Sequence, residues 1–197
     1  PHGRVHTLCA SVPGKWTLMS CTQAAGLSLR WLRDTVCTEE VKAAEAQGKD
    51  PYDLMTAEAE AVPPGSERLI YLPYLMGERS PYLDPNARGV FFGLSAMHGK
   101  PELIRSVMEG VGFSQLQCLD VFRENKAEVD DMIVTGGGGR SPLWRQMLAD
   151  LYQIPVRTLE TDQGGALGAA ILGGIAGGVY ASAEEACEKI IRYREAQ

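Results

Sequence analysis

The sequence predicts an α/β fold in which a sheet is covered by helices, and three observations carry that prediction. The first is a strand, loop and helix in succession. Asp131-Met132-Ile133-Val134-Thr135 is short, apolar and β-branched, Gly136 to Gly139 are four consecutive glycines, and Leu143, Met147 and Leu151 then recur every four residues. The second is that another strand-like run, Val156 to Leu159, and a Gly/Ala-rich helix from about Gln163 follow, so the second half of the chain alternates β and α. The third is a β-hairpin at the start, where Val5 to Ser11 and Trp16 to Cys21 flank the turn signal Val12-Pro13-Gly14-Lys15.

Between the hairpin and the glycine loop the elements read mostly as helices. Ala24 to Asp34 has helical spacing with Leu29 and Leu32 facing inward, and Glu39 to Gln47 and Tyr52 to Glu60 are Ala- and Glu-rich helices interrupted by Gly48 and Pro51. Pro63-Pro64-Gly65-Ser66 ends that region, Leu69 to Pro73 is a strand, and Gly77 to Arg88 is a long loop rich in proline and turn residues. Glu102 to Arg123 is a helix with Leu103, Val107, Val111, Cys118, Leu119 and Phe122 on one side. Gly110 and Gly112 inside it each cost about 1 kcal/mol relative to alanine, which implies close packing against another element. At 131–135 the run reads as a buried strand, and Ser141 and Pro142 suit the N-cap and first position of the next helix. Gly164 to Ser182, without a charge, reads as a buried helix and its exit turn.

Composition narrows the function. With 197 residues and 45% hydrophobic content the chain can bury a full core as a single domain, 1–197. A net charge of −6 with no basic run argues against nucleic acid or an anionic membrane as partner. Cys9, Cys21, Cys37, Cys118 and Cys187 are odd in number and contain no Cys-x-x-Cys pair, so they suit a reducing, cytoplasmic setting. The glycines at 164–165, 173–174 and 177–178 make the uncharged run a poor membrane span. The chain opens at Pro1 without a signal-like segment, as a piece of a longer protein would.

Few residues carry catalytic patterns. His2, His6 and His98 lack metal-ligand spacing, and Ser80 lies outside any Gly-x-Ser-x-Gly elbow. Glu78 and Arg79, in a Pro/Gly loop, either pin that loop or face a cleft, and the structural role is favoured. The near side-chain-free surface of Gly164, Gly165, Ala166, Gly168, Ala169 and Ala170 suits helix packing, with contact to a flat ring as the alternative. At the glycine loop, bare backbone next to a helix N-terminus can hold phosphate or adenosine, while a tight turn without a ligand is the alternative. Neither the spacing of a dinucleotide fingerprint nor that of a P-loop is met.

Gly89-x-Phe91-x-Gly93-Leu94, seven residues and Glu102-Leu103-x-x-Ser106-Val107-Met108-Glu109 form one long pattern, and through it the chain, over nearly its whole length, resembles the C-terminal domain of the FGGY carbohydrate kinases, whose signature this is. Within the family, HTLCASVPGKW from His6, the helix 25–34, Pro73 to Pro81 and GGGGRSPLWRQMLADL are most similar to kinases of D-xylulose, with gluconate kinases as the nearest alternative.

The resemblance implies an actin-like (ribonuclease H-like) ATPase domain with a mixed sheet flanked by helices, using ATP and Mg²⁺. It assigns the adenosine and α-phosphate end of ATP to Gly137, Gly138, Gly139 and Arg140, with further nucleotide contacts at Gly26 and Arg30. The catalytic carboxylate, the sugar-binding groups and any metal ligand would then lie in the protein's own N-terminal domain, so no catalytic or metal-binding residue is assigned here and the isolated chain is expected to be inactive. A homodimer and a non-catalytic, actin-fold nucleotide-binding module are the alternative forms of assembly and function. Two departures from the family stand out. Gly139 replaces a frequent alanine, a harmless loss of one methyl group, and Gln163-Gly164-Gly165 replaces an acidic residue followed by glycine.

Overall fold

The computed structural model describes residues 3–161, 164–194 and 196, so His2 and Gln163 lie outside the described residues. The hairpin is present. Strands β1 (His6–Cys9) and β2 (Trp16–Met19) pair antiparallel, with His6 opposite Met19 and Cys9 opposite Trp16. Its turn closes by Lys15 N donating to Val12 O at 3.2 Å, and Gly14 supplies the left-handed backbone (φ +75°) that the reversal needs. Both strands are exposed along their length.

Helix α1 (Ala25–Thr35) buries Leu29 and Leu32 as their spacing predicts. Helices α2 (Thr38–Gln47) and α3 (Pro51–Glu60) are separated where glycine and proline demand it. Gly48 ends α2 at φ +64°, and Asp50 accepts from Tyr52 N at 3.0 Å to start α3 behind Pro51. Strand β3 (Ile70–Leu72) pairs antiparallel with β4 (Val90–Phe92), Tyr71 standing opposite Phe91. The second of these strands is not legible in the sequence, because three residues between two glycines are too few to show an alternation.

Helix α4 (Lys100–Glu124) is the axis of the core, packed by α1, α3 and β3 and by α5 (Pro142–Tyr152). Contact on several sides buries it further round than the predicted stripe. Ile104 and Met108 are fully buried, while Leu103 and Phe122 remain half-buried. A methyl group on Gly110 would meet the carbonyl oxygen of Tyr71, and one on Gly112 would lie 2.7 Å from Leu151 Cδ1. The two glycines therefore let β3 and α5 approach α4. Gly110→Ala is expected to cost about 1–3 kcal/mol through overpacking. Chemical unfolding checks this, and a wild-type midpoint would contradict it.

Between α3 and β3 the chain makes a turn that no local rule predicts. Gly65, Ser66, Glu67 and Arg68 all have positive φ, at +90, +47, +51 and +73°. For the three non-glycine residues the left-handed conformation costs roughly 1–2 kcal/mol each, so surrounding groups must hold it. Gly65 N and Ser66 Oγ each donate to the Glu109 carboxylate at 3.0 Å. His98 accepts from Ser95 N at Nδ1 (3.0 Å), which leaves Nε2 to donate to Glu67 O at 3.1 Å. A Cβ on Gly93 would lie 2.8 Å from Arg68 O. Much of the signature between Gly89 and Glu109 thus serves the fold.

The second half forms a β-α-β unit: β5 (Met132–Ile133), α5 and β6 (Val156–Arg157), with Met132 beside Val156 in parallel register. It is followed by α6 (Gly164–Ala176) and α7 (Ala183–Ile190). Among the described residues the strands form three separate two-stranded ladders, two antiparallel and one parallel, flanked by helices: the α/β class is present, while the single mixed sheet expected from the resemblance is not, because each strand is only two to four residues long. Two burial expectations are overturned. Ile133 is 42% exposed, because β5 forms one wall of an open cleft. Helix α6 is exposed along most of its length and buries Ile171 against its surroundings. Nothing lies within 4 Å of a Cβ built on Gly164, Gly165 or Gly168, so among the described residues no packed neighbour accounts for that small-residue surface. No helix among the described residues is long and apolar enough to cross a membrane.

Candidate nucleotide site

The glycine loop sits at the C-terminal end of a parallel strand pair, where Val134 N donates to Arg157 O at 2.9 Å and extends the ladder. At Gly136 the backbone turns with φ +76°, and Gly139 N donates to Gly136 O at 3.1 Å, closing a single 3₁₀ turn over Gly137–Arg140. Ser141 then caps α5 by accepting from Trp144 N at 3.2 Å, with Pro142 in the first helical position. The physics read from the sequence holds at both ends of the loop.

The turn is braced from below. Arg145 donates to Gly139 O at 2.8 Å and to Arg140 O at 3.3 Å, and the Trp144 ring lies under Gly138 while its indole N–H donates to Met108 O at 3.2 Å. The outer side is open, since Gly137 is exposed with nothing within 4 Å of a built Cβ. At Gly139 a Cβ would lie 2.9 Å from Val134 O, so the glycine does more than delete a methyl group: it lets the turn fold back onto β5. A rigid, bare backbone at the start of an 11-residue helix can donate N–H groups to an anionic ligand at little reorganisation cost.

Two cavities adjoin the loop. One, of about 260 Å³, is lined by Val134, Thr135, Arg140, Thr158, Leu159 and Arg194, together with Gly136 and Gly139. The other, of about 420 Å³, runs from Thr22 and Ala25 at the entry to α1 past Cys118 and Tyr152 to Thr135. Burial raises the Cys118 thiol and the Tyr152 hydroxyl above their ordinary ranges, so both are neutral near pH 7 and neither supplies a nucleophilic anion there.

Of the residues named from the sequence, Gly139 and Arg140 line the smaller cavity, while Gly137 and Gly138 form the turn beside it. Gly26 and Arg30 are exposed on α1 and line neither cavity, although their neighbour Ala25 lines the larger one. Thr158, Leu159 and Arg194 carry no motif and were not named. Leu159 bridges Tyr193 antiparallel, and Arg194 N donates to Thr158 O at 2.9 Å, so a contact across more than thirty residues delivers that arginine.

Glu78 resolves as a structural residue. It is 4% exposed and accepts from Thr22 Oγ1 at 2.6 Å, Gln23 N at 3.0 Å and Arg79 N at 2.7 Å. The carboxylate thus ties the long loop to the entry of α1, and the Arg79 guanidinium is not among these donors.

The model of the FGGY family of carbohydrate kinases, C-terminal domain, matches residues 1–177. The xylulose kinase of Bacillus subtilis (strain 168) is 36% identical over 190 residues, covering 96% of this chain and 36% of that protein. The gluconokinase of the same strain is 37% identical over 179 residues, covering 87% of this chain and 33% of that protein. Among solved structures, a ligand-bound xylulose kinase from Lactobacillus acidophilus superposes with a TM-score of 0.84 at 30% identity, over 100% of this chain and 38% of its own. The chain spans about a third of the length of the relatives it matches. The braced glycine turn, the signature from Gly89 to Glu109 and these matches lead to one conclusion: this chain belongs to the FGGY family of carbohydrate kinases, as its C-terminal domain, with the actin-like ATPase fold of that family.

Proposed function

We propose that the full-length protein transfers the γ-phosphoryl group of Mg²⁺-ATP to the 5-hydroxyl of D-xylulose in the cytoplasm, and that this chain supplies the adenosine side of the ATP site. The observation that carries the second part is the braced glycine turn, open on its outer side beside a cavity with arginine and threonine in its wall. In this reading Gly137, Gly138 and Gly139 present backbone to the α-phosphate end, and Arg140 and the α1 residues Gly26 and Arg30 contact the nucleotide. Residues 1–197 form one domain, and the protein's own N-terminal domain brings the sugar and the general base. In this reading Mg²⁺ accompanies the ATP phosphates and neutralises their charge.

The choice of sugar rests on similarity alone, since both xylulose kinase and gluconokinase are close relatives. Coupled ADP release by the full-length protein with D-xylulose, L-ribulose, D-gluconate and glycerol is expected to rank D-xylulose first in kcat/KM. A lead of about tenfold by gluconate or glycerol, near 1.4 kcal/mol of transition-state preference, would leave the family standing and remove the xylulose assignment.

A further inference from the structure

The ladder of β3 and β4 is apolar on both faces. Tyr71 and its partner Phe91 point into the core, their rings 4.8 Å apart, and Tyr71 meets α4 at Gly110. Successive side chains of a strand turn to opposite faces, so Ile70, Leu72, Val90 and Phe92 share the other side, Ile70 standing opposite Phe92 and Leu72 opposite Val90. These four are between 37 and 69% exposed, and the chain leaving β4 adds Leu94 at 60% and Met97 at 84%. An antiparallel ladder packed on one side ordinarily turns a polar second face to water. Here that face is a contiguous apolar patch, and among the described residues nothing covers it.

The position of this face selects its cover. Gly110 of α4 admits Tyr71 and Gly112 admits Leu151 of α5, and at roughly 100° per residue the two glycines lie about 200° apart around the helix. The β3–β4 ladder and α5 therefore flank α4 from opposite sides. The glycine turn is on the α5 side, where Trp144 beneath it reaches Met108 O. An N-terminal domain that brings the sugar to that turn lies across the core from the exposed ladder. Area and charge point to a second copy. Covering the six side chains removes on the order of 600 Å² from each copy, so a pair buries about 1,200 Å², the lower bound for a stable interface. None of the six carries a charge, so a copy of the same face brings no like charges into contact although each chain has a net charge of −6.

We propose that the full-length protein is a homodimer in which the outer faces of the two β3–β4 ladders pack on each other about a twofold axis, with Phe92 and Met97 as the main anchors. From the proposed function this uses only the position of the N-terminal domain, and Gly137→Val tests the glycine turn independently. Sedimentation equilibrium of the full-length protein at micromolar concentration is expected to give a dimer. Phe92→Lys and Met97→Lys are each expected to raise its dissociation constant more than tenfold, because the twofold places the new charge in one apolar contact twice. Val179→Lys, at a residue 68% exposed beyond the end of α6, is the control and should leave the dimer intact. Phe92 and Met97 are mostly in water in this chain, so both lysine variants should fold, and circular dichroism checks that they do.

Dissociation confined to the Phe92 and Met97 variants supports the proposal. A monomeric wild-type protein overturns it, and if Phe92→Lys also lowers the melting temperature of that monomer by several degrees, the N-terminal domain covers the face and its placement over the glycine turn fails as well. A dimer whose dissociation constant is unchanged in both ladder variants uses another surface and overturns the proposal equally. Weakening to the same extent in Val179→Lys makes the effect one of added charge, not of this face, and also overturns it.

Discussion

Replacing Glu109 by alanine is expected to destabilise the fold by about 3–5 kcal/mol, the cost of leaving a buried charge without its partner. Arg105 and Glu109 lie one turn apart on α4 with side chains 7% and 12% exposed, and Arg105 Nε donates to Glu109 Oε1 at 2.8 Å. The same carboxylate accepts from Gly65 N and Ser66 Oγ, which hold the left-handed turn. The alanine variant therefore strands a guanidinium, two hydrogen-bond donors and a strained turn at once. Glu109→Gln keeps acceptor capacity and should cost less. Arg105→Met combined with Glu109→Leu should recover much of the loss, because a buried ion pair replaced as a unit is often neutral. Equilibrium denaturation checks the series, and a Glu109→Ala variant within about 1 kcal/mol of wild type would show that the turn holds itself.

The second large effect is on nucleotide binding. Gly137→Val in the full-length protein is expected to raise the KM for ATP by about tenfold to a hundredfold, or 1.4–2.7 kcal/mol, with the KM for sugar unchanged. The structure selects this glycine among the four. A side chain on Gly136 would be strained by its positive φ, one on Gly138 would press the Trp144 ring from 3.4 Å, and one on Gly139 would collide with Val134 O. Gly137 has open space where its Cβ would go and no positive φ, so valine there blocks a ligand without disturbing the turn. A melting temperature within a few degrees of wild type confirms that the loss is local. An ATP KM equal to that of wild type in the folded variant would move the adenosine site away from this loop.

How much of this was legible depends on sequence distance. The Ser141 cap, the Gly48 stop, the Asp50-Pro51 start and the Val12 to Lys15 turn each join groups five residues apart or fewer, and each stands where the residue types place it. Strand β4 was invisible because three residues carry no period. The left-handed turn was invisible because serine, glutamate and arginine disfavour it, and what holds it comes from His98 and Glu109. Within the candidate site, Gly139 and Arg140 were legible from the glycine run, while Thr158 and Arg194 follow from strand pairing.

By itself the sequence determined the α/β class and the strand, glycine loop and capped helix in succession, because backbone preferences, caps and the spacing of apolar residues are written within one or two turns of chain; the family was legible through resemblance to its signature from Gly89 to Glu109. Only the tertiary structure decided that Gly110 admits β3, that Glu109 clamps a turn 43 residues away, that α6 and Ile133 stay exposed, and that Arg194 reaches the glycine loop. Those outcomes depend on which surfaces meet. Apolar composition makes burial favourable wherever a partner exists, but the partner is selected by packing of the whole chain, and no short stretch of sequence contains it.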